Sequence, residues 1–314
     1  MLSYLAQLAL RLAAAMAELP ESLRDRHAAH LLAAQAADGG FAGREGDSDL
    51  YYTSFGLRSL SMLGQLYGEP AQRAAGFLRN RLDGRETVID TLSLVYGAAL
   101  LEMSAGLDVL ADAPSDWRDM LVQRLERYRR PDGGYAKASE GRASSTYHSF
   151  LVLLCRELLD RPLPEPQRMV HFVLSQQSPE GGFREIRAGK RAGTNPTAAA
   201  IGVLRILDAL DENVRHSTIE FLAGMQTDEG GLRANTRIPI ADLLSSMTGV
   251  LTLADLGGSD RIDRDAARRY VLALEGPDGG FRAAAWDDAY DVEYTFYGLS
   301  CLALLTADTA DAAR

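Results

Sequence analysis

A pair of adjacent glycines recurs along this chain in one local context, and that recurrence limits the fold more than any other feature. The pair occurs in AADGGFAG at Gly39-Gly40, RPDGGYAK at Gly133-Gly134, SPEGGFRE at Gly181-Gly182, TDEGGLRA at Gly230-Gly231 and GPDGGFRA at Gly279-Gly280. The last three steps are 48, 49 and 49 residues. The first is 94, with a degenerate copy, LDGRE, near its middle at Asp83-Gly84. A fixed period of this size means a stack of supersecondary units. Six such units fill the 314 residues.

A second register follows the first. Asp49, Asp90, Ser144, Asn195, Asp242 and Asp291 stand where a helix should begin. Seven positions later come Gly56, Gly97, Gly202, Gly249 and Gly298, with Leu151 in the third copy. Asp, Asn and Ser side chains accept hydrogen bonds from the free N–H groups of a helix start, so all six are expected N-caps. The segments that follow, such as GLRSLSMLG, GVLTLADLG and GLSCLALL, are almost wholly apolar and predict helices buried on most sides. The segments before each glycine pair, such as PEPQRMVHFVLSQQ, are amphipathic. No strand pattern occurs. Each unit therefore reads as an outer helix, a glycine turn and an inner helix. The last copy is among the most regular, which favours a closed ring over a solenoid with polar ends. A single domain over 1–314 is expected, with an amphipathic helix over about 1–19 packed on it.

The balance of 33 Lys and Arg against 43 Asp and Glu gives a formal charge of −10, which argues against a nucleic-acid binder. Cys155 and Cys301 lie in apolar stretches and read as buried hydrophobes, so no disulfide framework is expected. The first twenty residues lack a basic start and Arg11 interrupts them, unlike a secretory signal. No run approaches a membrane span. The expected location is cytoplasmic.

Basic residues gather in the turns that precede the inner helices: Arg44, Arg85, Lys137, Arg142, Arg184, Arg187, Lys190, Arg191, Arg233, Arg237 and Arg282. Helix N-termini favour anions, so Arg187, Lys190, Arg191, Arg233 and Arg237 form a candidate diphosphate site. Scattered surface charge is the alternative. Asp47, Asp287, Asp288 and Glu293 read as solvated loop acids, with contact to a metal or a cationic substrate as the alternative. Tyr51, Tyr52, Tyr147, Tyr290, Tyr294, Phe296 and Tyr297 fall in the first turns of inner helices. Beside His148 and Glu293 they would line an isoprenoid cavity, or they are core.

Turns of the form Q/P-x-D/E-G-G-F/Y/L followed by D-x-x-x-T/S-x-x-G helices resemble the terpenoid cyclase and protein prenyltransferase toroid. The similarity covers about residues 25 to 306 and is greatest to prenyltransferase β subunits, the prenyltransferase/squalene oxidase repeat proteins. It implies an all-α fold, an α/α toroid (a six-hairpin α6–α6 barrel) with inner and outer helix rings. It also implies binding of a prenyl diphosphate or other isoprenoid in a central apolar cavity, with prenyl transfer as the activity. A lipid- or partner-binding toroid without catalysis and a terpene-cyclase-like enzyme are the alternatives. Of the family's three zinc positions only Asp242 keeps a ligand; the others are Leu244 and Tyr294. Zinc is therefore not expected, while magnesium stays open. The family's diphosphate slots fall on Gly193, Ser245, Thr236 and Pro239, with Arg237 adjacent. The cyclase acid motif has its nearest counterpart in WDDAYD, in the wrong order. Candidate catalytic residues are Asp242, Tyr294, Glu293 and Asp291. The resemblance further implies a helical-repeat partner subunit, for which self-association is a substitute.

Overall fold

The glycine turns are built alike wherever the computed structural model describes them, over residues 2–79, 81 and 86–311. The degenerate copy at Asp83-Gly84 and the neighbouring Arg85 lie outside the described residues. Gly39, Gly133, Gly181, Gly230 and Gly279 all have φ between 91° and 97°, a region that side-chain-bearing residues rarely enter. The residue after each pair is a plug: Phe41, Tyr135, Phe183, Leu232 and Phe281 are completely buried. Burial strands the plug's backbone N–H, and a hydroxyl of the following inner helix accepts from it. The acceptors are Thr53 at 2.9 Å, Ser149 at 2.8 Å, Thr197 at 2.8 Å, Ser246 at 2.9 Å and Thr295 at 3.3 Å. This is the T/S of the repeat. The repeat's later glycine has a steric cause: a Cβ on Gly298 would lie 2.4 Å from the Phe281 ring, and one on Gly56 2.7 Å from Phe41.

The helices divide between two compact units, residues 1–118 with 273–314, and residues 119–272. The first contains α1 (Tyr4–Ala17), α2 (Glu21–Ala34), α3 (Leu50–Met62), α4 (Gly68–Arg79), α5 (Val88–Ala105) and α13 (Val292–Asp311). The second contains α7 (Thr146–Leu158), α8 (Pro166–Ser175), α9 (Thr194–Ile206), α10 (Glu212–Ala223) and α11 (Leu243–Leu256). The unit limits fall within α6 (Trp117–Glu126) and α12 (Arg264–Ala273). In the first unit α3 packs between α5 and α13, and α1 packs on α13 and α3. In the second α9 packs between α7 and α11. These apolar helices are the inner ones. Helix α5 is long and apolar enough to cross a membrane, but 61% of it is buried inside the protein.

In the first unit the end of the chain locks onto its beginning. The His27 ring of α2 stacks on the Phe281 plug at 4.9 Å, and its Nδ1 accepts from Gly280 N at 3.1 Å. Burial lowers the His27 pKa to about 4 despite the Glu275 carboxylate 3.1 Å from Nε2. The ring is therefore a neutral packing element at pH 7.

Two expectations need correction. Short strands do exist: β1 (Tyr135–Ala136) pairs with β2 (Ser144–Ser145), and β3 (Phe281–Arg282) pairs with β4 (Tyr290–Asp291). They arise because plug and helix start face each other with backbone groups that burial obliges to pair. The caps are also only partly as expected. Asp49, Asp242 and Asp291 accept from the N–H of Tyr52, Ser245 and Tyr294 at 2.7, 2.7 and 2.9 Å. By contrast Thr87 caps α5, and Asp90 returns a bond to Thr87 N at 3.0 Å in a capping box. Ser145 rather than Ser144 caps α7. Helix α9 begins at Gly193 with no side-chain cap, since Pro196 at its third position has no N–H to satisfy. Asn195 instead accepts from Thr248 of α11 at 2.6 Å.

Gly298→Ala should destabilise the protein by about 1–3 kcal/mol through the clash with Phe281. Gly76→Ala, in α4 with open space where its Cβ would stand, should be neutral or stabilising by up to about 1 kcal/mol. Urea unfolding of the two variants side by side checks both signs.

Candidate functional site: an aromatic wall and a basic turn

On α3 the residues Tyr51, Phe55, Arg58 and Met62 share one face by helical spacing. Tyr51 meets Phe55 edge-on at 5.0 Å, and Phe55 meets Phe296 and Tyr297 of α13 at 5.5 and 5.4 Å. Tyr52 and Tyr294 extend this wall, at 5.2 Å from Tyr51 and 5.9 Å from Tyr297. Its tyrosine hydroxyls converge on one acid. Tyr51 donates to Glu293 Oε1 at 2.6 Å and Tyr297 at 3.1 Å. Burial pushes the Glu293 carboxyl above the usual carboxylate range, and the two hydroxyls offset only part of that. Among the described residues Oε2 accepts no hydrogen bond. Glu293 is thus no solvated loop acid.

Nor is Asp287, the second correction to the reading of the acids. Arg44 donates to both its oxygens, at 3.0 and 2.5 Å, and to Asp291 Oδ2 at 2.8 Å. Burial works to raise the Asp287 pKa, but the hydrogen bonds and charge of Arg44 together with the backbone N–H groups of Ala289 and Ala283 outweigh it, holding the carboxyl below its ordinary value. Arg44 is accordingly neutralised rather than available to an anion. Asp47 and Asp288 are exposed, as expected.

In the second unit the cations separate into two kinds. Arg187, Lys190, Arg191 and Arg237 are exposed, and Arg191 donates to Thr236 Oγ1 at 3.2 Å. Arg233 reaches back to Gly224 O at the C-terminus of α10, at 3.1 Å. Arg184 and Arg282 do likewise at the ends of α8 and α12, at 3.3 and 3.1 Å. Such a contact satisfies a terminal carbonyl and complements the negative end of the helix. The arginine that follows three of the five plugs, Arg184, Arg233 and Arg282, therefore has a structural task.

His148 is buried against its own cap, with Nδ1 3.0 Å from Ser145 Oγ. Ser145 Oγ also bonds Glu185, whose Oε2 accepts from Tyr147 N at 3.3 Å. Burial lowers the His148 pKa and raises that of Glu185. Tyr147 is 39% exposed and lies edge-on to His148 at 5.6 Å.

The residues present do not suit the zinc that the resemblance would bring. Both Asp242 oxygens already accept from Ser245, Oδ1 from N at 2.7 Å and Oδ2 from Oγ at 2.8 Å. Leu244 offers no donor, and a neutral tyrosine such as Tyr294 is a poor one. Among the described residues no three His, Cys, Asp or Glu side chains converge.

Phe55, Arg58 and Glu185 escaped the sequence reading. The signal for the first two was the i, i+4, i+7 spacing from Tyr51, with a charge inside an otherwise apolar helix. Nothing local marks Glu185.

Comparison with known proteins fits this architecture. The family model described as the prenyltransferase alpha-alpha toroid domain matches residues 2–78 and 71–314. Protein farnesyltransferase subunit beta of Schizosaccharomyces pombe is 24% identical over 178 residues, 55% of this chain and 46% of that protein. Drimenyl diphosphate synthase of Streptomyces showdoensis is 26% identical over 246 residues, 75% of this chain and 44% of that protein. The chain thus spans less than half the length of either relative. Candida albicans protein geranylgeranyltransferase-I complexed with GGPP superposes with a TM-score of 0.72 at 16% identity, covering 91% of this chain and 92% of that one. The chain belongs to the prenyltransferase alpha-alpha toroid domain family, and its fold class is the all-α toroid.

Burial of Glu293 carries a pH signature. A carboxyl whose folded pKa lies above its ordinary 4.5 stabilises the fold less as pH rises from there through the raised value. Glu293→Gln keeps an acceptor for both tyrosines and should remove that decline. Unfolding free energies of wild type and variant, measured from pH 4.5 to 8, should converge at the acid end and favour the variant at the other.

Proposed function

We propose that this protein binds an isoprenoid as its prenyl diphosphate. The cluster of edge-on and tilted rings of Tyr51, Phe55, Phe296 and Tyr297, with the unshared Glu293 oxygen beside it, carries the proposal. Such a cluster offers an unsaturated chain both apolar contact and π electrons, and the latter steady positive charge as a C–O bond to diphosphate breaks. The similarity to a farnesyltransferase subunit and a diphosphate synthase supports the same ligand class. To the second unit, taken by itself, we assign a phosphate-binding patch of the exposed Arg187, Lys190, Arg191 and Arg237. Transfer to an acceptor belongs to this proposal, without a zinc-bound thiolate as its nucleophile. A second subunit belongs to it as well, supported by the word "subunit" in the relative's name.

Glu293 favours one further reading. A buried carboxyl whose pKa is raised gives up its proton at higher pH than an ordinary one, and protonation of an alkene by such a group would start a cyclisation. Its mark would be a cyclic product that Glu293→Gln no longer forms.

The anion assignment is tested by titrating farnesyl diphosphate and farnesol into wild type and an Arg191→Ala/Arg237→Ala double variant. Two charge-assisted bonds of roughly 1.5–3 kcal/mol each predict about a hundredfold or greater loss for the diphosphate. Farnesol binding should not change. Equal losses for both ligands would make the turn structural, and unchanged diphosphate binding would remove the anion site.

A further inference from the structure

Arg58 stands on the same wall and has no counter-ion among the described residues. Its guanidinium carbon lies 4.8 Å over the Phe55 ring, 4.8 Å over Tyr96 of α5 and 5.7 Å over Phe296. Among the described residues no carboxylate, carbonyl or hydroxyl accepts a hydrogen bond from it. Nε is enclosed without a partner, and neither Nη group is counted among the enclosed, unbonded atoms, so solvent reaches them.

The other arginines of inner helices are not left this way. Arg156 of α7 bonds Glu126 Oε1 and Pro162 O, both at 2.6 Å. Arg205 of α9 pairs with Asp255 of α11. Rings alone are a poor substitute, because a guanidinium presents five N–H donors and each enclosed donor left unbonded costs stability. Three aromatic faces do fix its plane, leaving the paired Nη edge as an open fork. That fork matches two oxygens of one anionic group.

We infer that Arg58 binds a carboxylate or phosphate group carried by the apolar ligand of this wall. The inference rests on the isoprenoid reading of the wall. It places the anionic group of the wall's ligand partway along α3, seven residues and about 10 Å beyond Tyr51, apart from any phosphate held by the turn cations of the second unit. An isoprenoid acid or monophosphate fits; an uncharged isoprenoid does not use the site.

The test is calorimetric titration of farnesoic acid, farnesyl monophosphate and farnesol into wild type, Arg58→Met and Arg58→Lys. At least one anion should bind wild type about tenfold or more tighter than farnesol, and which one does so names the group. Arg58→Met should abolish that advantage and leave farnesol within about twofold. Arg58→Lys, which keeps charge but not the fork, should retain part of it. The melting temperature of Arg58→Met should hold or rise, because an unsatisfied buried donor is removed. Anions no tighter than farnesol, or an advantage that survives in Arg58→Met, would overturn the assignment while leaving the wall an isoprenoid site. A fall in melting temperature with joint loss of all three ligands would make Arg58 a packing residue. Failure of every farnesyl compound to bind wild type would instead reject the isoprenoid reading, and this inference with it.

Discussion

Four residues after the start of each described inner helix but α5, a hydroxyl accepts a hydrogen bond from the buried N–H that follows the glycine pair. The repeat depends on that bond. The plug cannot be buried unless its N–H is satisfied, and in four of the five the same hydroxyl donates to the carbonyl at the helix start, as Thr295 does to Asp291 at 2.6 Å, while Thr53 donates to Phe41 O at 3.5 Å. One side chain thus couples a turn to the helix after it. The turn's first glycine then lies against the backbone of another outer helix, Gly181 on Ser217 and Gly230 on Ala266. Cooperation passes from unit to unit of the repeat through contacts too close for a side chain. At the chain's end the partner is α2, where Gly279 meets Arg26, so the last turn is secured by the first residues of the sequence.

Much of this was legible beforehand because it is periodic. The glycine pairs, the hydroxyl and the later glycine each answer a steric or hydrogen-bonding demand that recurs, and recurrence is visible in a single sequence. What the period hid was local. Asp90 and Asn195 occupy the cap register, yet a preceding Thr87 and a following Pro196 move the capping elsewhere. Arg184, Arg233 and Arg282 look like cations of a binding mouth, and periodicity itself was the clue that they serve the outer helices instead. A residue repeated at the same place in most units is more easily explained by the fold than by a ligand that binds once.

The converse identifies the site. Counted from the hydroxyl that accepts from the plug, Tyr51 and Glu293 share a slot that holds Tyr147, Asn195 and Leu244 in other units, and the Arg58 slot holds Leu154, Gly202, Leu251 and Ser300. The wall that Tyr51, Glu293 and Arg58 form contains an acid that burial makes harder to ionise and a cation with no partner among the described residues, both among aromatic rings. Each costs the fold stability, and neither is required by the repeat. Departures of this kind are where a protein trades stability for binding.

The most direct test of this account is photolabelling with a diazirine-bearing farnesyl diphosphate, followed by peptide mapping. The account predicts labels on residues 50–62 of α3 and 292–300 of α13, competed away by unmodified farnesyl diphosphate. Labels confined to exposed apolar side chains such as Trp286, 68% accessible, and indifferent to competitor would contradict it.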